Sequence, residues 1–349
     1  MGAVRSLREH GLHIGELDPG PLGSITDVGG VRVGHVTTRR DEQDPPEGRG
    51  VARSGVTAIV PAEPATLFGE PLPAGIAVLN GAGEMTGSLE LAEWGVLQTP
   101  VYLTATMSVG RVYDGAVAAA IASDPAVGVE GVVIPVVAEC DDSWLNDARV
   151  VQVEAADAGR ALEAASAGHV EQGAVGAGTG MVCFDWKGGI GTSSRVVGGA
   201  TVGVLVLTNF GDRHQLRVDG VPVGRLLGGE STLSREPAGS CIAVVATDAP
   251  LGSADLARLA RRAGLGLGRT GSVAHHGSGE IFMAFSTARS SSRVDLNPLF
   301  AAAVEATEEA VLNALWHAER TTGREGRVAD ALPHDEVLEL LSQHGRLSP

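Results

Sequence analysis

A layered α/β fold is what this 349-residue sequence predicts, and three observations point to it. Short Val- and Ile-rich runs bounded by Gly or Pro alternate with Ala-rich stretches of helical character. Several of these runs are apolar throughout, so both faces need cover, and helices are the available cover. Finally, 49 glycines stand against 3% aromatic residues, which describes a core of Val, Ala and Leu in which glycine lets backbones approach closely.

Along the chain, strands are expected at 30–38, 55–60, 75–79 and 100–104, each short, β-branched and bounded by Gly or Pro. Helices are expected at 89–94 and 109–123, the second from its unbroken Ala-rich character. A strand at 131–137, a helix at 154–166, a Gly-rich stretch at 173–191 and a strong strand at 201–208 come next. Residues 228–239, GGESTLSREPAG, have no apolar period and read as an exposed connection. Ser240 then opens the apolar run CIAVVAT, too short for a lone helix and rich in Val, hence a buried strand. A helix at 253–262, a strand at 281–286 and helices at 298–321 and 334–343 close the chain, which reads as a single domain.

The charge balance, 26 Lys+Arg against 42 Asp+Glu for a net −16, argues against a nucleic-acid partner. Counterion release needs clustered bases, and the one basic concentration, Arg258, Arg261 and Arg262, belongs to an ordinary helix surface. Cys140, Cys183 and Cys241 form no CxxC pair and sit in apolar or strand-like settings, which suits reduced thiols and a cytoplasmic location. No signal-peptide pattern stands in the first twenty residues, and no run reaches the roughly 18 apolar residues of a membrane span. No membrane partner is expected.

Most candidate motifs have plain readings. GLGLGRTG at 264–271 follows a predicted helix instead of joining a strand to a helix, so it reads as a glycine-rich helix stop and turn, not a dinucleotide loop. KGGIGT at 187–192 lacks Walker spacing and reads as a structural turn, or else a pocket wall. The histidines assemble no metal site: His10 and His13 lie near a chain end, and the adjacent His275 and His276 would point oppositely on a strand. No metal or other cofactor is expected. Cys241 in its apolar strand reads as an inert buried thiol.

Gly239-Ser240 is different in kind. A loop ending in Gly, followed by a hydroxyl residue at the mouth of a buried strand, is what an autoproteolytic precursor needs, because the hydroxyl can attack the preceding carbonyl in an N-to-O acyl shift. Cleavage would leave Ser240 with a free α-amine of pKa about 7.7–8, against about 10.4 for lysine, a credible base for its own hydroxyl. Taken alone, Gly-Ser before a strand is also an ordinary turn. Ser278 and Glu280 share a face of an extended segment, so a hydroxyl and a carboxylate can converge there. Asn209 ends the 201–208 strand, where a carboxamide can donate to a developing oxyanion. Each of the three also reads as a turn or cap residue.

Taken together the residues resemble the DmpA-type self-processing aminopeptidases, the L-aminopeptidase/D-esterase and β-peptidyl aminopeptidase group of peptidase family S58. The resemblance rests on ITDVGGVRVGH at 25–35, GVTAIVP at 55–61, NGAGEMTG at 80–87, WLND at 144–147, GAGTGMVCFDWKGGIGTSSR at 176–195, TNFG at 208–211, GSCIAVVATDAPL at 239–251 and GSGEIFMAFST at 277–287. Their joint order and spacing is specific where the single motifs are weak. It implies a four-layer αββα sandwich resembling the N-terminal nucleophile hydrolases, and cleavage between Gly239 and Ser240 into chains 1–239 and 240–349. It also implies Ser240 as nucleophile with its own α-amine as base, Asn209 in the oxyanion hole, Ser278 and Glu280 tuning nucleophile and amine, and a tetramer of αβ units.

By the same resemblance Glu139 falls where the family has a carboxylate for the substrate ammonium, which suits an exopeptidase because a buried cation needs a paired charge. Where relatives commonly read GETYDGWLND, this chain reads AECDDSWLND at 138–147. Asp141 thus replaces a pocket tyrosine and adds an acid beside Glu139, favouring cationic substrate ends, while Ala82 replaces a more usual polar residue. The expected activity is hydrolysis of N-terminal residues from short peptides, amino-acid amides or esters through an acyl-enzyme on Ser240, without a cofactor. The rivals are an acyltransferase resembling ornithine acetyltransferase, against which Ser240 in place of threonine counts, a hydrolase of non-natural amide oligomers, and an uncut non-enzymatic scaffold.

Overall fold

A computed structural model describes residues 5–229 and 239–347. Most of the loop expected at 228–239 therefore lies outside the described residues. In chain order the elements are β1 (Arg32–Asp41), β2 (Val51–Val60), α1 (Pro64–Leu67), β3 (Leu72–Gly81), α2 (Ser88–Glu93), β4 (Val96–Leu97), β5 (Val101–Ala105), α3 (Val109–Ser123), β6 (Val136–Cys140) and α4 (Ala156–Glu163). Then come a turn at Gly176–Gly180, the small hairpin β7 (Val182–Cys183) and β8 (Trp186–Lys187), β9 (Ile190–Val197), β10 (Ala200–Asn209), α5 (Val223–Leu227) and β11 (Ser240–Thr247). The chain continues with α6 (Ser253–Ala260), α7 (Ala263–Arg269), β12 (Gly279–Ser286), α8 (Leu296–Trp316) and α9 (His334–Gln343).

Two main sheets carry the fold, a four-stranded one ordered β1-β2-β5-β6 and a six-stranded one ordered β4-β3-β12-β11-β10-β9. Strand alternation divides the apolar residues among three cores. On β11, Cys241, Ala243 and Val245 pack toward α6, α7 and α8, while Ile242, Val244 and Ala246 pack between the sheets with Leu103, Ala138, Leu205 and Met283. The outer face of the smaller sheet, Val56, Ala58, Tyr102 and Val137, meets Val112 and Ala116 of α3 and Ala158 and Ala161 of α4. The layers are helix, sheet, sheet, helix, the expected αββα sandwich. A strand covered on both sides must be apolar on both faces, and this is why the 240–247 run does not alternate.

Three expectations need correcting. The stop and turn expected at 264–271 is confined to 270–271: Ala263–Arg269 is helical and lies against α8 at Gly266, where a Cβ would come within 2.6 Å of the Thr307 Cβ. The strand expected at 131–137 begins only at Val136, after Pro135, which has no N–H for a ladder. β9, read above only as part of a Gly-rich stretch and its surroundings, is a full strand in which the buried residues after Ile190 and Gly191 are polar, Thr192 to Arg195. Its Ser193 Oγ donates to Glu309 at 2.6 Å, and the buried Arg195 pairs with Glu305 and Glu309 of α8 at 3.2 and 2.6 Å.

Candidate active site

The site is built from strand ends. Asn209 is the last residue of β10, Ser240 the first of β11 and Gly279 the first of β12. The antiparallel register sets Asn209 opposite Ser240, and the parallel register sets Ser240 opposite Gly279. Three residues from three distant segments are thereby fixed in one row by main-chain pairing. The row exists because the apolar runs behind it are buried on both faces.

Around the Gly239–Ser240 peptide the groups converge. Ser240 Oγ donates to the Gly239 carbonyl oxygen at 2.7 Å, and the Gly279 N–H donates to the same oxygen at 3.1 Å. Ser278 Oγ donates to Glu280 Oε1, and Ser278 stands against Gly239, where a Cβ would meet its Oγ and Phe210 at 3.1 Å. A side chain at 239 would therefore crowd this wall by a few tenths of an ångström. Burial raises the Glu280 carboxyl above its ordinary range, opposed by the Ser278 hydrogen bond, and its buried Oε2 has no hydrogen-bond partner among the described residues.

The Asn209 carboxamide is clamped at both ends. Its Oδ1 accepts from the Val182 N–H at 2.9 Å, and its Nδ2 donates to the Asp141 carbonyl at 2.9 Å. An amide nitrogen has two protons, so this clamp fixes the orientation while using one of them. The loop bearing Asp141 is itself stiffened by a buried knot: Asp142 Oδ1 accepts from Asn146 Nδ2 at 3.0 Å, and Asn146 Oδ1 accepts from the Arg53 N–H at 2.9 Å. Burial pushes the Asp142 carboxyl up to about 7.

Ser240 opens into a cavity of about 550 Å³ lined also by Gly83, Thr106, Glu139, Asp141, Gly239 and Gly277. Glu139, 2% exposed, is oriented by the Glu84 N–H at 2.9 Å and by Thr106 Oγ1. Burial raises its carboxyl above the usual range; these hydrogen bonds oppose the shift and the nearby Asp141 and Glu84 charges add to it. Asp141 lies half-buried on the same wall, its Oδ1 accepting from the Ser143 N–H at 2.8 Å.

All six residues singled out in the sequence therefore meet: Ser240, Glu139 and Asp141 on one cavity, Asn209 in register with Ser240, and the Ser278–Glu280 pair against Gly239. Thr106, which donates to Glu139, Asp142, which accepts from Asn146 in the loop bearing Asp141, and Lys187, which donates to the Met181 carbonyl, are marked by no motif in the sequence. From the sequence Lys187 reads as part of a structural turn or a pocket wall; it stands in β8. The signal that singles it out is compositional: it is the one lysine in the sequence.

A family model described as peptidase family S58 matches residues 23–329. The chain is 42% identical to the "Beta-peptidyl aminopeptidase BapA" of Sphingosinicella microcystinivorans, over 95% of this chain and 90% of that one. It superposes on a Burkholderia sp. beta-aminopeptidase with a TM-score of 0.88 at 40% identity, covering 99% of this chain and 100% of the other. On the L-aminopeptidase D-Ala-esterase/amidase of Ochrobactrum anthropi, described as a variant of the Ntn hydrolase fold, the TM-score is 0.89 at 38% identity, covering 98% and 99%.

Proposed function

The chain belongs to peptidase family S58, a self-processing serine aminopeptidase of N-terminal-nucleophile type, and from that membership we propose which residues carry the activity. Self-cleavage falls between Gly239 and Ser240, giving chains 1–239 and 240–349. The Ser240 hydroxyl adds to the Gly239 carbonyl carbon and the C–N bond breaks. The nitrogen takes up the hydroxyl proton, and water then hydrolyses the resulting ester. The observation that carries this is the convergence on one carbonyl oxygen of the Ser240 hydroxyl and the Gly279 N–H, the second being a donor where oxyanion charge develops.

In the mature enzyme the freed α-amine serves as base for Ser240 Oγ, which attacks the substrate carbonyl. Asn209 Nδ2 stabilises the oxyanion, the amine or alcohol leaves, and water releases the acid. The Ser278–Glu280 pair holds nucleophile and amine, and the α-ammonium supplies the donor that buried Glu280 Oε2 lacks among the described residues. Glu139 takes the substrate ammonium. Asp141, on the same wall, adds negative charge that favours cationic side chains. Short peptides, amides and esters with a free amine are the substrate class, and the relative named as a β-peptidyl aminopeptidase extends it to β-residues.

The protein acts as a homo-oligomer of αβ units, a tetramer by resemblance. Its three cysteines are free and buried, which suits the cytoplasm. No helix among the described residues is long and apolar enough to cross a membrane.

Intact-mass analysis tests the reading. Two fragments are expected, the smaller beginning at Ser240, while Ser240→Ala stays full-length and inactive. A wild-type chain that remains whole after prolonged incubation, or is cut elsewhere, refutes the assignment.

A further inference from the structure

Of the 26 lysine and arginine residues all but one are arginine, yet position 187 holds the single lysine and buries it completely. Its three hydrogen bonds all go to main-chain carbonyls, of Gly178 at 3.0 Å, Met181 at 2.8 Å and Gly188 at 2.7 Å. Three acceptors converging on one nitrogen require three N–H donors. An ammonium has them; a neutral amine has two and turns its lone pair to the third carbonyl. A planar guanidinium fork does not match such a cone of acceptors. Burial works against the charge and drives the Lys187 ammonium well below its usual range, with Cys183 and Asp142 opposing the shift; the three acceptors favour the charged form.

One of those carbonyls leads to the site. The peptide unit whose oxygen, on Met181, accepts from Lys187 Nζ is the unit whose N–H, on Val182, donates to Asn209 Oδ1 at 2.9 Å. A cation on the carbonyl polarises that peptide and strengthens its N–H as a donor, as in other hydrogen-bond chains in a low-dielectric interior. The Asn209 oxygen is drawn toward Val182, and its Nδ2 protons become better donors in turn.

We propose that Lys187 is a positioning residue for the oxyanion hole, acting through the Met181–Val182 peptide to orient and polarise the Asn209 carboxamide. The inference rests on the oxyanion role proposed for Asn209, and its test separates the two. It adds a reason for a buried lysine that neither pairs with substrate nor lines the cavity.

Two measurements decide it. In the first, kcat and KM for an amino-acid p-nitroanilide are compared in wild type, Lys187→Met, Asn209→Ala and the double variant. Asn209→Ala lowers kcat by about 10²–10³-fold, as for loss of one oxyanion donor. Lys187→Met lowers kcat by roughly 10–100-fold, the size of effect that slight misplacement of a catalytic group produces, with KM little changed. Added to Asn209→Ala, the Lys187 change has little further effect on kcat, because the two residues act as one unit.

Lys187→Met strips three buried carbonyls of their donor, so its folding is checked by circular dichroism. The second measurement uses the native lysine and needs no variant at position 187. In protein grown on ¹³Cε/¹⁵Nζ-labelled lysine, tags without lysine, one resonance reports Lys187. An aminoalkyl boronic acid, whose tetrahedral adduct on Ser240 puts an oxygen where the oxyanion forms, shifts that resonance in wild type and leaves it in place in Asn209→Ala.

If Asn209→Ala keeps wild-type kcat, the oxyanion assignment falls whatever happens at 187. If Asn209→Ala is impaired but the Lys187 effect multiplies in full, or the resonance ignores the adduct, the relay is overturned and the oxyanion assignment stands. Where Lys187→Met does not fold, the resonance alone decides.

Discussion

Replacing Glu139 by Gln isolates one charge with little change of shape. The Glu84 N–H keeps an oxygen to donate to, and the Thr106 hydroxyl can turn from donor to acceptor, so both bonds that orient the side chain survive in kind. What is lost is the partner of a substrate ammonium in a site where the carboxylate is almost fully buried. Truncating one member of a buried charge pair costs about 2–5 kcal/mol. Gln retains the polar contact, so about 2–3 kcal/mol is expected, which is roughly 30–150-fold in kcat/KM at 1.4 kcal/mol per tenfold. The assay compares free and N-acetylated amides of the same amino acid: wild type strongly prefers the free amine, and Glu139→Gln loses most of that preference. A pH dependence accompanies it. Because burial raises the Glu139 carboxyl, kcat/KM for free amines falls as pH drops through a value above the ordinary carboxylate range, since the protonated acid no longer pairs with ammonium. The limb belongs to the free enzyme and is absent from kcat, where bound ammonium holds the carboxylate ionised. A Glu139→Gln enzyme that still discriminates against the acetylated amide refutes the ammonium assignment; the separate limb set by protonation of the Ser240 α-amine is expected in both enzymes.

Gly239→Ala sets a methyl 3.1 Å from Phe210 and from Ser278 Oγ. Overpacking of that kind costs about 1–3 kcal/mol, so self-cleavage followed on denaturing gels should slow by roughly 10–100-fold; conversion at the wild-type rate would show that this wall does not constrain the scissile peptide. Asp142→Asn concerns stability. With its carboxyl raised from 3.8 to about 7, the folded chain holds a proton that the unfolded chain releases as pH rises from about 4 to 7. Wild-type stability therefore declines across that interval, by up to about 4 kcal/mol at 1.36 kcal/mol per unit. The Asn variant has no such term, so its melting temperature gains on wild type between pH 5 and pH 8, and parallel curves would sink the idea.

What the sequence makes legible and what it hides follow from where each group sits. Ser240, Asn209 and the Ser278–Glu280 pair stand at or beside strand ends, where an apolar run stops and a polar residue breaks the pattern. Asn209 after VGVLVLT and Ser240 before CIAVVAT are visible for that reason, though only the family resemblance says that they meet. β11 is legible from its unbroken apolar run, while β9 is not, because most of its buried residues are Thr, Ser and Arg, and the partners of Ser193 and Arg195 lie more than a hundred residues away on α8. The helix at 263–269 was hidden by glycines that local propensity counts as breakers and tertiary packing uses as clearance. Lys187 is the sharpest case. Its partners are carbonyl oxygens, which every residue has, so no side-chain motif marks the site. Its trace in the sequence is that a chain which elsewhere always chooses arginine chooses lysine once. A division of labour follows from the proposed roles: the side chains assigned to substrate stand in motifs that the sequence displays, whereas Lys187, assigned to aim one of them, bonds only to main-chain carbonyls and is marked by composition alone.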